Sequence, residues 1–278
     1  MFSGGTSRLE SPTIEFRSGS TSAVNDDLEV VGDTGIFAGA VLSGSGRLVV
    51  PDGSLLNLLD GAAVEIEIEN NGQMSVGSSP GVATIEALTQ TGDGQLEIEL
   101  AGTVLGTGYD HLDVINTATL AGTLDVNLID GFYPAQGDKF SILTAGTRDG
   151  EFDAIDGIQV AADLTLAPLY DYEDLIGLIL IAALPGDANF DGLVDVADLG
   201  ILGANFNADD MQWLGGDFNL DGTTDVADLG ILGANWSSGG SLSSAQGLEA
   251  AGLTALVPEP ATLSLFVMSV LMVGHRRR

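Results

Sequence analysis

The sequence predicts a mainly β chain: a stacked β-solenoid over residues 1–184, a small all-α metal-binding module over residues 185–237, and a C-terminal hydrophobic helix. Three observations predict it. Between about Leu28 and Leu184, short runs alternate apolar and polar residues between Gly, Asp and Asn turns. Two twelve-residue stretches, starting at Asp187 and Asp217, repeat one pattern of oxygen-bearing side chains, each followed by apolar residues at helical spacing. A largely apolar run, Ala261–Gly274, stands just before three arginines.

The β region is clearest in Val64–Glu69, Leu96–Leu100 and Leu124–Leu128, where every second residue is apolar. Period two places one face of a strand in a core and the other in water. Glycines lead such runs at Gly46, Gly61, Gly72, Gly94 and Gly122. Spacings of 26, 22 and 28 between Gly46, Gly72, Gly94 and Gly122 suit a stacked repeat. A β-sandwich also has regular short strands and is the alternative. The one-sided alternation favours strands around a narrow interior, with glycines at sharp corners. The stretch Ser79 to Ala145, with Ser-Pro-Gly, Thr-Gly-Asp-Gly-Gln-Leu-Glu-Ile-Glu-Leu and Gly-Tyr-Asp-His-Leu-Asp-Val, resembles the β-helical repeats of autotransporter passengers. That resemblance implies a right-handed parallel β-helix and no activity. The apolar run Leu175–Leu184 is expected to close the region, and Pro185-Gly186 to break it.

Composition narrows the function. Forty Asp and Glu face eight Lys and Arg, a net charge of −32. A surface this acidic repels nucleic-acid phosphates and anionic headgroups, and it offers many hard oxygen ligands to divalent cations. The chain has no cysteine, which excludes thiol catalysis, disulfides and thiolate metal sites. Of two histidines, His275 lies in the tail, and His111 is expected as a solvated turn residue near a corner. Gly92-Asp93-Gly94 is a turn signal, not a phosphate loop. Arg47, Lys139 and Arg148 are the only basic candidates for a polysaccharide-cleaving site, and they are far apart in sequence. No catalytic residue is assigned.

The two acidic stretches carry chemistry. Residues 187–198 place Asp187, Asn189, Asp191, Asp195 and Asp198 at positions 1, 3, 5, 9 and 12 of an EF-hand-type loop. Gly192 stands at position 6, and Leu193 offers its carbonyl at position 7. The spacing wraps six or seven oxygens around one calcium ion at about 2.4 Å. Thirty residues later Asp217, Asn219, Asp221, Gly222, Thr223, Asp225 and Asp228 repeat the pattern, and Val196–Asn205 recurs unchanged as Val226–Asn235. Asp195 and Asp225 also suit helix capping, with Asp198 and Asp228 in the first turns. Each following helix is expected to bury one side: Leu199, Leu202 and Phe206, then Leu229, Leu232 and Trp236. Two calcium ions are the expected cofactors.

A loop followed by one helix, twice, between Gly186 and Trp236, resembles a type I dockerin. The resemblance implies two calcium-bound halves packed helix against helix, and docking to a cohesin-like or other protein partner. Members that bind cohesins usually carry small hydroxyl residues at loop positions 10 and 11; here those are Val196-Ala197 and Val226-Ala227. Four carboxylates crowd each loop, so the module is expected to be largely unfolded without calcium.

Residues 238–256 form a Ser/Gly/Ala-rich linker, and residues 257–278 are a distinct tail. Pro258-Glu259-Pro260, the apolar run and Arg276-Arg277-Arg278 together resemble the PEP-CTERM sorting signal of Gram-negative bacteria. The resemblance implies processing by an exosortase-type peptidase, and a chain exported to the envelope, the outer surface or the medium. The tail would be the only membrane contact. The fourteen-residue run is short against the roughly 20 residues that span a bilayer comfortably, so the anchor is expected to be transient. The first residues show no signal-peptide pattern, and the expectation is a truncated or miscalled start.

Two function classes follow. One is a non-catalytic surface protein with a calcium-dependent docking module on a spacer or adhesin, with extracellular polysaccharide a further candidate partner. The other is the C-terminal part of a secreted polysaccharide-degrading protein of glycoside-hydrolase type, whose catalytic domain lies upstream.

Overall fold

The alternating runs are strands, and their period-two pattern separates a buried row of side chains from a solvated one. The computed structural model describes residues 6–77 and 80–237. The chain forms β1 (Ser7–Phe16), β2 (Thr21–Ala23), β3 (Leu28–Ile36), β4 (Val41–Val50), β5 (Leu55–Leu58), β6 (Ala63–Asn70), β7 (Gln73–Val76) and β8 (Val82–Gln90). It continues with β9 (Gln95–Leu100), β10 (His111–Leu120), β11 (Thr123–Leu128), β12 (Lys139–Gly150), β13 (Ala154–Asp156), β14 (Gln159–Ala161), β15 (Leu164–Tyr170) and β16 (Gly177–Ala183). After these come α1 (Val196–Ala204), β17 (Ala208–Asp209), a 3-10 turn (Trp213–Gly215), β18 (Thr223–Thr224) and α2 (Val226–Ala234).

Among the described residues, the first sixteen strands belong to one mixed sheet. One arm pairs β3–β5–β7–β9–β11–β13 in parallel. The other pairs β4–β6–β8–β10–β12 in parallel. The arms meet where β3 pairs β4, and β1 and β2 add to β3 and β4. Apolar residues stack rung on rung: Leu56, Met74, Leu96 and Leu124 on one arm, and Leu48, Ile68 and Leu88 on the other. All are fully buried, and both rows belong to one core. Beyond β12 the pairing becomes antiparallel through β16, β15 and β14.

This architecture corrects the expected right-handed β-helical solenoid and all-α module. The strands form one large mixed sheet with an antiparallel end. Residues 185–237 contain the β17–β18 ladder and a 3-10 turn beside two nine-residue helices. Alternation reports how many faces of a strand are buried, and glycine spacing reports the length of each return. Neither specifies which strands pair or in which sense.

The antiparallel end prepares the site. Along β15 and β16, Leu166, Tyr170, Leu178, Leu180 and Ala182 face the main core. Their alternates, Ala167, Leu169, Ile181 and Ala183, belong to a second cluster with Ala188, Val194, Leu202, Trp213, Phe218 and Leu232. A strand pair buried on both faces reads as a continuous apolar run, which explains the stretch Leu178–Ala183 of the run Leu175–Leu184. The described residues up to Asn235 form one compact unit. Among the described residues no helix is long and apolar enough to cross a membrane. The linker 238–256, the apolar run Ala261–Gly274 and the motif residues Pro258, Glu259, Pro260, Arg276, Arg277 and Arg278 lie outside the described residues.

Candidate metal centre

The first loop leaves β16 in a turn, the Asp187 N–H donating to the Leu184 carbonyl at 3.0 Å. Its Asp and Asn side chains accept from the loop's own backbone. Asp187 Oδ2 takes the Gly192 N–H at 2.9 Å, Asn189 Oδ1 the Asp191 N–H at 2.8 Å, and Asp191 Oδ1 the Leu193 N–H at 2.9 Å. Asp198, fully buried, takes the N–H groups of Ala188 (2.9 Å) and Asn189 (3.3 Å) on Oδ1, and of Asp195 (2.9 Å) on Oδ2. Asp195 caps α1 and forms a capping box with Asp198.

The second loop repeats these bonds. Asp217 Oδ2 takes the Gly222 N–H at 2.8 Å, Asn219 Oδ1 the Asp221 N–H at 3.0 Å, and Asp221 Oδ1 the Thr223 N–H at 2.9 Å. Asp228 takes the N–H groups of Phe218, Asn219 and Asp225, and Asp225 caps α2. The structure therefore brings the predicted ligands of each loop into one hydrogen-bonded unit. It does not draw them to a common centre: among the described residues no three Asp, Glu, His or Cys side chains form a cluster that could hold an ion.

One atom separates the loops. Asp187 is 1% exposed, and its Oδ1 is buried with no hydrogen-bond partner, whereas Asp217 Oδ1 accepts from the Asp221 N–H at 3.3 Å. Burial pushes Asp187 up to about 6, against the pull of the Gly192 N–H and with help from the charges of Asp198 and Asp191. Burial, opposed by the Gly222 N–H and reinforced by Asp228 and Asp221, pushes Asp217 up to about 6 as well. A desolvated carboxylate oxygen without a hydrogen-bond partner suits a hard divalent cation.

The halves interlock reciprocally, and α1 touches α2. Gly186, which leads into the first loop, has φ +100°, and a Cβ there would stand 2.9 Å from the Leu232 Cα in α2. Gly216, leading into the second, has φ +98°, and its Cβ would stand 3.0 Å from the Leu202 Cα in α1. Both the positive φ and the close approach require glycine. Gly216→Ala is expected to cost about 2 kcal/mol, read as a lower urea midpoint at unchanged slope.

The buried stripe of each helix differs from expectation. Leu202 and Leu232 are buried, but Leu199, Phe206, Leu229 and Trp236 are exposed, each close to two-fifths. The helices end at Ala204 and Ala234, so Phe206 and Trp236 lie beyond the regular turns that a helical stripe assumes.

A residue that sequence reasoning passed over joins the loops to the sheet. Trp213 is buried in the second cluster, packs edge-to-face on Phe218 at 5.2 Å between centroids, and donates its indole N–H to the Asp187 carbonyl at 2.8 Å. Beside it, Gln212 donates to Glu151 at 3.0 Å and accepts the Tyr170 N–H at 3.3 Å. The available signal was a tryptophan in the segment between two otherwise duplicated stretches.

Elsewhere, the polar groups that invited catalysis have structural partners. His111 is buried at the start of β10, which corrects the solvated turn; its Nδ1 lies 2.7 Å from the Ser141 carbonyl oxygen and its Nε2 lies 3.1 Å from Thr144 Oγ1. Arg47 pairs with Asp27 and Glu69, Arg148 pairs with Asp171 and covers the Tyr170 ring, and Lys139 sits over Tyr172. Buried Asp110 accepts the N–H groups of Gly81 (2.7 Å) and Glu99 (2.8 Å). Burial pushes it up to about 7 against those two donors, aided by Glu99 and Glu97. The native state then binds a proton more firmly than the unfolded chain between the ordinary carboxylate range and pH 7, so this group's contribution falls as pH rises through that window. Between pH 5 and 8 the wild type is expected to lose on the order of 3 kcal/mol relative to Asp110→Asn, read by urea denaturation in excess calcium.

Neither a protein-family model nor a curated protein matches this chain.

Proposed function

We propose that the chain is a non-catalytic, exported calcium-binding protein whose duplicated, dockerin-like loops and helices dock a protein partner. The observation that carries this reading is the buried, unpartnered Oδ1 of Asp187, position 1 of the first loop. Asp187, Asn189, Asp191, Asp195, Asp198 and the Leu193 carbonyl would hold one ion; Asp217, Asn219, Asp221, Asp225, Asp228 and the Thr223 carbonyl would hold the second. Bound calcium supplies charge compensation. The loop residues wrap it, and the capping aspartates tie each loop to its helix.

The docking half of the reading rests on what the helices leave uncovered. Val196 and Val226 are 71% and 68% exposed, the highest values among the large apolar residues described. Ala197 and Ala227 beside them are exposed too. The face is apolar where cohesin-binding relatives in the resembled family carry hydroxyls, so the partner surface it suits is apolar. The tail motif supports export to a Gram-negative envelope and exosortase-type processing.

Calorimetric titration of the whole chain with calcium is expected to show two ions bound, with dissociation constants at or below about 1 mM. Asp187→Ala with Asp217→Ala is expected to abolish the heat. Absence of uptake by the wild type at several millimolar calcium would overturn the reading.

A further inference from the structure

We infer that the first loop is a calcium-controlled clamp, which seats the tandem repeat on the outer face of β15–β16 and so closes the antiparallel end of the sheet. This rests on the calcium reading above and adds to it a direction, from loop to sheet. Its basis is the position of one residue.

Asp187 stands four residues after the end of β16 and serves two structures at once. Its side chain is position 1 of the loop, with Oδ1 buried and unpartnered. Its backbone carbonyl accepts the indole N–H of Trp213, the largest fully buried side chain of the molecule's described part. Trp213 shares its cluster with Ala167, Leu169, Ile181 and Ala183 on the outer face of β15–β16. A shift of Asp187 that relieves its orphaned oxygen and its repulsion from Asp191 and Asp198 moves the carbonyl that holds Trp213. An ion at position 1 removes the reason for that shift. The second loop lacks this linkage: Asp217 Oδ1 has a backbone donor, and the Asp217 carbonyl receives no indole.

The seat is local. The row of Leu56, Met74, Leu96 and Leu124 lies in the other core cluster, which β15–β16 join through their opposite face, with Leu166, Tyr170, Leu178, Leu180 and Ala182. Loss of the ion should therefore loosen β15–β16 without loosening the parallel arms, because local openings follow cooperative packing units.

The test is amide hydrogen exchange on the whole chain, with calcium and with chelator, alongside calorimetry. Exchange in β15 and β16 is expected to rise at least tenfold on chelation, while amides of β5, β7 and β9 change less than twofold. Asp187→Asn is expected to reproduce the chelated pattern in the presence of calcium, and Asp217→Asn to leave β15–β16 protected. The wild-type comparison alone suffices if Asp187→Asn fails to fold. Calcium uptake with unchanged exchange in β15–β16, or with acceleration spread evenly over the sheet, overturns the clamp but leaves calcium binding standing. Equal effects of Asp187→Asn and Asp217→Asn overturn its assignment to the first loop. No uptake at all overturns the calcium reading itself.

Discussion

Asp198→Ala is expected to cost about 4 kcal/mol of stability in saturating calcium and to reduce the bound ions from two to one. Asp198 is fully buried, and three backbone N–H groups point at it, from Ala188, Asn189 and Asp195. Alanine leaves all three without their acceptor, each at a cost of about 1–3 kcal/mol, partly recovered where water can enter. It also removes the acidic partner of the capping box and a negative charge from the first turn of α1, worth about another 1 kcal/mol. Against this runs the relief of repulsion among four carboxylates, which is why the measurement belongs in excess calcium. Asp228→Ala, whose carboxylate takes the N–H groups of Phe218, Asn219 and Asp225, should behave alike. Asp198→Asn, which keeps one acceptor oxygen, should lose about half as much. A loss below about 1 kcal/mol for alanine would mean that the loop is not organised around this residue.

What could be read from the sequence and what could not divide along the range of the interactions. Val64–Glu69, Leu96–Leu100 and Leu124–Leu128 are strands because alternation is a local consequence of one buried face. The caps and glycine turns of the two loops were readable for the same reason: capping aspartate, glycine turn and helix start lie within twelve residues of one another. Pairing order was not readable, because Leu56 meets Met74 and Met74 meets Leu96 through contacts that no local pattern specifies. The run Leu175–Leu184 announced burial without saying that its two faces belong to two clusters. His111 looked solvated among acidic residues, yet neighbouring strands supply its partners Ser141 and Thr144. The buried side expected of each helix is too long, since a periodicity extended to Phe206 and Trp236 requires turns beyond Ala204 and Ala234, where the helices end.

Trp213→Ala is expected to lower stability by about 4 kcal/mol, and Trp213→Phe by about 2 kcal/mol. The larger loss combines the transfer term of a fully buried indole with the cavity left among Leu169, Ile181, Val194 and Phe218. The smaller substitution retains a ring to meet Phe218 edge-on but cannot donate to the Asp187 carbonyl, which leaves that acceptor buried and unpaired. Comparison of the two thus separates packing from the hydrogen bond, and calcium titration separates them further. If the indole bond fixes position 1 of the first loop, Trp213→Phe weakens one of the two binding events and spares the other. If packing alone matters, both events are unchanged, because the ligand oxygens of both loops remain in place. Equal stability losses for alanine and phenylalanine would assign the whole effect to the lost hydrogen bond to the Asp187 carbonyl. A loss under 1 kcal/mol for alanine would show that the repeat does not rest on the sheet through this residue.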